Sequence, residues 1–408
     1  MRFVRQQWPF ASAFILICGL ATAGHAEDDE LMGQLRRKTP SGQYVDPASF
    51  FRFHGYISLS YTQGDDALGS TANGTTPQIL ISQPSPRTGN NEGGFRNDAA
   101  LFVGGEPFEN VGGVIEIHFV GDALDPVITE AKMSWGLVGA EDGDFTFRLT
   151  GGRYWLPFGI HNDEWFSAVN RFALISPAAA EVLPAHYNEV GLMGEGELKL
   201  TNRLGLNYAL SVGNGTSGFD LPTNVRASAS DANGNRTLTG RVGLVFPHGD
   251  MSFEVGLNGS FGQLRSTTLA NPAVVTDYAA DFSAFGADAT FGLYDFGLRS
   301  YFYLSTEDLG GAAPVNELAR SGFTLEPSYT LRRDDERFRQ VMFLARFSQA
   351  EEETLAATTL RRNQVGLGTN IELTHSFVGK IGYIVQGEDK DLPDIDNDAF
   401  NFSFTYEF

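Results

Sequence analysis

A two-residue alternation of apolar and polar side chains is the feature that most constrains this chain. It is clearest at residues 400–408, F-N-F-S-F-T-Y-E-F, where every even position is aromatic and every odd position is polar. Such a pattern predicts a β-strand whose two faces meet different surroundings. The aromatic face would cover the core of a soluble sheet or, in an outer-membrane barrel, would contact lipid.

The same alternation recurs along the chain from Arg52 onward. In R-F-H-G-Y-I-S-L-S-Y-T at 52–62, Phe53, Ile57 and Leu59 share one face, and polar residues occupy most of the other. Sixteen segments of this kind are found, an even number, as is usual for bacterial outer-membrane barrels. The predicted strands lie near 51–63, 95–105, 112–121, 127–138, 144–155, 188–200, 203–213, 237–247, 250–263, 279–292, 296–305, 322–331, 339–349, 363–374, 378–388 and 397–408.

The connections between these segments alternate between short and long. Short connections such as 109–112, 140–143 and 201–203 follow every second strand, and longer ones such as 64–94 and 156–187 lie between them. The connection at 122–126 is the exception, because it is short where a long one is expected. Tight periplasmic turns and larger extracellular loops produce this order. The pattern predicts an all-β transmembrane antiparallel up-and-down barrel of about 16 strands, in which the last strand pairs with the first.

Other architectures share part of this pattern. A soluble β-sandwich or propeller also alternates with period two, but it would bury the apolar face. A TonB-type receptor would need about 22 strands and a plug domain, for which the segment before the first strand is too short. The aromatic end at 400–408 and the N-terminal segment favour the membrane barrel.

The N-terminus has the composition of a secretory signal peptide. Arg2 and Arg5 precede an apolar run, and small residues at 24–26 suit cleavage after Ala26. Residues 1–26 are therefore predicted to be removed, with a short periplasmic segment at 27–50 and the barrel at 51–408. Cys18 could instead belong to a lipoprotein signal, but Ile17 is bulky where that signal needs a small residue.

Composition excludes several classes of function. The chain carries a formal charge of −21, whereas nucleic-acid binding needs a basic surface. Its single cysteine lies in the predicted signal peptide, which removes disulfides and thiol chemistry from the mature chain. His54 and His118 lie on the first and third predicted strands, which argues against a shared metal. We expect no cofactor, no metal and no enzymatic activity.

Charged residues in the predicted strands share the parity of the polar face. Lysine and arginine number eight among them and acidic residues nine, so the expected lumen is mixed in charge. The inward set comprises Arg52, His54, Glu116, His118, Glu130, Lys132, Arg148, Glu195, Glu197, Lys199, Arg241, Glu254, Asp288, Arg299, Glu326, Arg346, Glu372, Lys380 and Glu407.

The connection at 156–187 is the candidate constriction. Its apolar residues, among them Trp165, Phe166 and Phe172, are unusual for a loop in water, so we expect it to fold into the barrel. An alternative is a contact between subunits. Folding inward would bring Asp163, Glu164, Arg171 and Glu181 to the constriction, opposite Arg148, Arg153 or Arg241.

Five short motifs resemble the phosphate-selective porin family, in the same order and over about 52–408. They are G-G-R-Y-W-L-P-F-G at 151–159, N-E-V-G-L-M-G-E-G-E-L at 188–198, V-G-N-G at 212–215, L-T-G-R-V-G-L-V-F-P at 238–247 and V-G-L-G-T-N-I at 365–371. The resemblance implies a sixteen-stranded outer-membrane porin, commonly a trimer, with inward-folded loops. In the family's namesakes, basic residues along the lumen select anions.

This chain departs from that pattern because its inferred lumen is not a basic ladder. Carboxylates beside the scattered arginines would oppose phosphate binding. We therefore expect passive diffusion of small hydrophilic solutes or ions, with lipid and lipopolysaccharide around the barrel and the aromatic C-terminal strand read by the barrel-assembly machinery. A phosphate or dicarboxylate channel is the alternative, and a closed structural or enzymatic barrel is a further one.

Overall fold

A computed structural model of the protein describes most of the predicted barrel. The described residues are 52–64, 94–108, 110–120, 125–138, 144–160, 171–172, 178, 182–183, 188–215, 236–271, 274–308, 317–335, 338–353, 359–374, 376–388 and 398–408. The predicted signal peptide at 1–26 and the segment at 27–50 lie outside them. Within the described residues, no helix is long and apolar enough to cross a membrane.

Sixteen antiparallel strands close into one barrel, with each strand paired to its neighbours in sequence. This confirms the predicted fold class and strand number. The strands are β1 (Arg52–Gly64), β2 (Gly94–Phe108), β3 (Val111–Val120), β4 (Asp125–Val138), β5 (Phe145–Trp155), β6 (Asn188–Thr201), β7 (Leu204–Gly213), β8 (Thr237–His248), β9 (Met251–Asn271), β10 (Val274–Leu293), β11 (Phe296–Asp308), β12 (Glu317–Asp335), β13 (Phe338–Glu353), β14 (Thr359–Thr374), β15 (Phe377–Glu388) and β16 (Ala399–Glu407).

The barrel closes where β16 pairs with β1, as the terminal alternation predicted. Phe404 and Tyr406 are exposed on the outer face, whereas Ser403 and Thr405 are buried on the inner face. The backbone of Phe408 exchanges two hydrogen bonds with Gly55, of 2.9 and 3.0 Å. The ladder between β1 and β16 therefore continues to residue 408.

Several strands are longer than the sequence predicted. β9 and β10 were expected to end and begin at 263 and 279, with a long connection between them, yet only residues 272–273 separate them. The added residues pair as backbone partners, for example Thr276 with Thr268. Their side chains do not alternate in polarity, so the periodicity that marked the rest of each strand is absent there.

A β-bulge in β4 changes the expected facing of its first residues. The register between β3 and β4 shifts after the pair of Glu116 with Glu130, and Ile117 pairs with Ile128, so that Thr129 has no partner. Ile128 has the same parity as Glu130, yet Ile128 is exposed on the outer face and Glu130 is buried on the inner face. An extra residue reverses the parity of everything before it in the strand.

Candidate functional site

The inner face of the barrel is polar and largely buried, and the outer face is apolar and exposed. Outer side chains such as Leu257, Leu367 and Phe404 are exposed. Inner side chains of the same strands, such as Asn258, Gln364 and Ser403, are buried. Any candidate site for a solute therefore lies on the inner face.

The connection after β5 begins by packing against the inner face. Leu156 and Phe158 are fully buried, and the Phe158 ring lies 5.5 Å from that of Tyr303 on β11. The backbone N–H of Gly159 donates a 2.9 Å hydrogen bond to Oδ1 of Asn258 on β9. Gly159 has a φ of 71°, and a Cβ at this position would overlap the Tyr303 hydroxyl. Only glycine fits this approach without strain.

Residues further along the same connection contact strands on the opposite side of the barrel. The guanidinium carbon of Arg346 on β13 lies 4.1 Å from the centre of the Phe172 ring. The N–H of Ala178 donates to Oγ of Ser348, at 3.4 Å, and Oγ of Ser305 donates to the carbonyl of Val182, at 2.6 Å. In the ring of sixteen strands, β13 is eight positions from β5. The described residues of 156–187 therefore lie across the interior.

Three arginines surround Glu326 at this contact. Nε and Nη2 of Arg346 both lie 3.0 Å from Oε2 of Glu326, and Nη1 of Arg171 lies 3.8 Å from Oε1. Arg299 on β11 is the register partner of Glu326 on β12. Directly opposed residues have Cβ atoms about 5 Å apart. Among the described residues at this point, positive groups outnumber the carboxylate.

Arg241 on β8 lies in a second network, in which two carboxylates share one guanidinium. Its Nη2 is 2.8 Å from Oε1 of Glu254 and 2.7 Å from Oδ1 of Asp288, and its Nη1 donates to Oδ1 of Asn207 at 3.2 Å. Nδ2 of Asn258 donates to the other oxygen of Asp288 at 2.7 Å. Because Asn258 also accepts from the backbone of residue 159, this network holds the start of the connection.

The strands beside the connection carry fewer paired charges. Nζ of Lys132 lies 2.6 Å from Oε1 of Glu130, both on β4. Nη1 of Arg148 on β5 lies 3.8 Å from Oε1 of Glu195 on β6, and both side chains are partly exposed. A partly exposed pair such as Arg148 and Glu195 contributes about 0–1 kcal/mol to stability.

Arg153, which the sequence offered as a residue opposite the loop, lies on the outer face. The register from Arg148 to Trp155 is unbroken against β6, so Arg153 shares the side of Leu149. Its Nη1 donates a 2.8 Å hydrogen bond to the carbonyl of Ile128, beside the bulge in β4. The register thus gives Arg153 the parity opposite to that of Arg148, and a role for Arg153 at a constriction stays a prediction.

Four other candidates cannot be placed by their side chains. Arg52 lies on β1 opposite Gly104, and its side chain is outside the described part of the structure. Asp163, Glu164 and Glu181 also fall outside the described residues. Their role at a constriction stays a prediction.

The sequence missed one buried ion-pair network. Nε of Arg320 on β12 lies 3.0 Å from Glu352 on β13, and its Nη1 lies 3.2 Å from Glu307 on β11. The predicted strands ended at 305 and 349, and the strand between them began at 322, which left Glu307, Arg320 and Glu352 in loops. Longer strands would have shown that Arg320 and Glu352 are register partners.

Comparison with known proteins gives a likeness of fold. No protein-family model matches the chain, and no curated protein matches it. Among solved structures, the outer-membrane protein OmpT of Vibrio cholerae superimposes with a TM-score of 0.55 at 9% identity, over 88% of this chain and 97% of that one. The chain thus has the fold of the outer-membrane β-barrels.

Two further structures extend this likeness. An anion-selective porin from Comamonas acidovorans matches with a TM-score of 0.52 and 12% identity, over 88% of this chain and 99% of that one. The outer-membrane channel DcaP of Acinetobacter baumannii matches with a TM-score of 0.50 and 11% identity, over 90% and 99% of the two chains. The resemblance to phosphate-selective porins stays a prediction, since the structural neighbours share the barrel and little sequence.

Proposed function

We propose that this protein is an outer-membrane porin through which small hydrophilic solutes or ions diffuse passively. The observation that carries the proposal is the connection 156–187, whose described residues cross a closed polar interior and contact its far side through Phe172 and Ala178. A loop in this position narrows the lumen without changing the wall. Pore radius and the field of the wall then set which solutes pass.

The distribution of charge favours weak selectivity. Arg241 and Arg320 each bind two carboxylates on other strands. A guanidinium held in this way has fewer N–H groups and less net charge to offer a passing anion. Phosphate specificity is therefore not part of the proposal.

An anion-selective channel is the second candidate, and one observation favours it. Arg171, Arg299 and Arg346 gather around the single carboxylate of Glu326. A surplus of positive charge at the contact between loop and wall would attract phosphate or a dicarboxylate.

The proposed setting is the outer membrane of a Gram-negative bacterium, reached after cleavage of residues 1–26. We propose that the outer face contacts lipid and lipopolysaccharide and that the chain is a homotrimer. We also propose that the barrel-assembly machinery recognises the terminal strand. One V. cholerae OmpT structure that resembles this chain is described as a trimer form. Diffusion of this kind uses no cofactor and no enzymatic step.

Conductance measurements test the proposal. The purified protein would be inserted into planar bilayers under a KCl gradient, and phosphate would then be added. A large ohmic conductance with weak charge selectivity and no phosphate block is the expected result. An anion-selective conductance blocked by micromolar phosphate would favour the second candidate. Absence of conductance would overturn both in favour of a closed structural or enzymatic barrel.

A further inference from the structure

A row of outward residues crosses the strands β5–β8 at the end of the barrel that carries the long connections. Arg153 on β5 is the register partner of Val190 on β6. The N–H of Asn214, just beyond β7, donates a 3.1 Å hydrogen bond to the Val190 carbonyl. Nη1 of Arg236, just before β8, donates a 2.9 Å hydrogen bond to Oδ1 of Asn214. Adjacent strands lie about 4.8 Å apart, so the backbones of the two arginines are about 14 Å apart along this arginine row.

Both arginines of the row lie on the outer face. The unbroken register with β6 gives Arg153 outward parity. Arg236 shares the side of Leu238, which is exposed, whereas Thr237 between them is buried on the inner face. Nη1 of Arg153 donates to the Ile128 carbonyl, and Nη1 of Arg236 donates to the amide oxygen of the row. These bonds to neutral oxygens orient the two guanidiniums and do not neutralise their charge.

Aliphatic rows lie beside the arginine row, toward the middle of the same strands. In register order from β5 to β8, the first is Gly151, Leu192, Val212 and Leu238, and the second is Leu149, Gly194, Leu210 and Gly240. Most of the larger side chains in these rows are exposed. The surface therefore changes from cationic to aliphatic within one step along the strands, as an anionic amphiphile requires.

The position of the arginine row matches a boundary of the membrane. A strand needs about 9–11 residues to cross the hydrocarbon, and β6 supplies about that length between Val190 and its other end at Thr201. The long connections predict that the row lies at the extracellular boundary. Lipopolysaccharide forms the outer leaflet of a Gram-negative outer membrane, and its phosphates lie at this level.

Elsewhere on the same end of the outer face, the charges differ. Asp281 on β10, Asp308 on β11 and Glu317 on β12 are successive register partners and are exposed. Arg361 on β14 is also exposed, but its Nε lies 2.7 Å from Oε1 of Glu351. An anionic lipid would be repelled by the three carboxylates and attracted to the arginine row. Charge complementarity thus favours β5–β8 for such a lipid.

We propose that the outer face of β5–β8 is a binding site for lipopolysaccharide. Arg153 and Arg236 would contact the two phosphates of its lipid A, which are attached at opposite ends of a disaccharide, and the aliphatic rows would contact its acyl chains. The planar guanidinium suits phosphate because it can donate two parallel hydrogen bonds. The site rests on the proposed outer-membrane location and does not depend on whether the barrel conducts.

A titration with two forms of the lipid tests the site. The purified full chain in non-ionic detergent would be added to fluorescent lipopolysaccharide, or to the same lipid without its phosphates, and anisotropy would give the affinity. EDTA removes divalent cations that could bridge phosphates to carboxylates. The wild-type chain should bind the phosphorylated form about 30-fold more tightly, since each basic residue near an anionic surface contributes about fivefold.

Variants show whether the arginine row is the cause of that preference. The double variant Arg153→Gln, Arg236→Gln should bind both lipids equally, and each single variant should lose about fivefold. The single variants keep the test available if the double variant does not fold, which its unfolding temperature in lipid-free detergent would show. Arg361→Gln is the matched control, and it should keep the full preference.

Two results would overturn the site. They are a wild-type chain that does not distinguish the two lipids, and a double variant that keeps the wild-type preference. Single-channel conductance in phosphatidylcholine bilayers, which contain no lipopolysaccharide, should be the same in the double variant and the wild type. A wild-type chain that prefers the phosphorylated lipid but does not conduct would support the site while overturning the porin proposal.

Discussion

Charged side chains are paired differently on two opposite sides of the barrel interior. On the far side, β8–β13, arginines such as Arg241 and Arg346 bind carboxylates on other strands at 2.7 and 3.0 Å. On the near side, β3–β6, Glu116 and Glu130 face each other, and Lys132 binds only the second. Alternation sends charges of both signs inward on both sides, and the near side also pairs Arg148 with Glu195. That pair is 3.8 Å apart and partly exposed, whereas the far-side contacts are closer and less exposed.

The difference follows the path of the 156–187 connection. Its described residues rest on the far side, where Phe172 lies against the Arg346 guanidinium and residue 159 bonds to Asn258. The Arg346 guanidinium binds a wall carboxylate, Glu326, and its flat face lies against the Phe172 ring of the loop. The near side only anchors the loop ends. The far side is therefore where changes should alter both stability and pore properties.

Breaking the loop contact should have the largest effect. Gly159→Val adds a side chain where a Cβ already overlaps the Tyr303 hydroxyl, at a φ that favours glycine. We expect the loop to leave the far side and single-channel conductance to rise severalfold. Gly249→Val is the matched control, because Gly249 has a φ of 59° with nothing near its Cβ. It should cost only about 1–2 kcal/mol of backbone strain. Wild-type conductance in Gly159→Val would show that this contact does not set the pore.

Unpairing the far side should come next. Glu326→Gln removes the carboxylate that Arg346 and Arg171 share. Losing one partner of a buried pair costs about 3–5 kcal/mol, and the arginines left behind should shift the reversal potential toward anions. Glu195→Gln on the near side should change the free energy of unfolding by less than about 1 kcal/mol, because its pair with Arg148 is partly exposed. Denaturant unfolding and reversal potentials measure both. Equal effects of the two variants would contradict the distinction between the sides.

The smallest effect is expected on the outer face. Arg153→Leu removes a charge near the end of β5, where a cationic side chain on the lipid side costs about 0–1 kcal/mol, and it also removes the bond to the Ile128 carbonyl. The free energy of unfolding should change by less than about 1 kcal/mol, with charge selectivity unaltered. Arg148→Leu, on the inner face of the same strand, should shift selectivity toward cations. A selectivity change in Arg153→Leu would contradict its outward placement.

The sequence predicted the barrel, its strand number and its closure because period-two alternation is a local signal. It failed where that signal stops. The ends of β9 and β10 are paired in backbone register, but the sequence there does not alternate in polarity. The β4 bulge is set by tertiary register, and no residue type around Thr129 marks it. Ion pairs between strands, such as that of Arg320 with Glu307, can be predicted only when the register of the two strands is known as well as the face of each residue.

The closure of β16 on β1 also bears on how the chain must fold. Thr405 donates a hydrogen bond to Ser58 across a sequence separation of 347 residues. Until β16 arrives, β1 has an unpaired edge that can recruit any other strand. Contacts of such long range make folding slow. Pairing of β16 with β1 therefore ends a long interval of aggregation risk. A chaperone that shields the β1 edge would be needed throughout that interval.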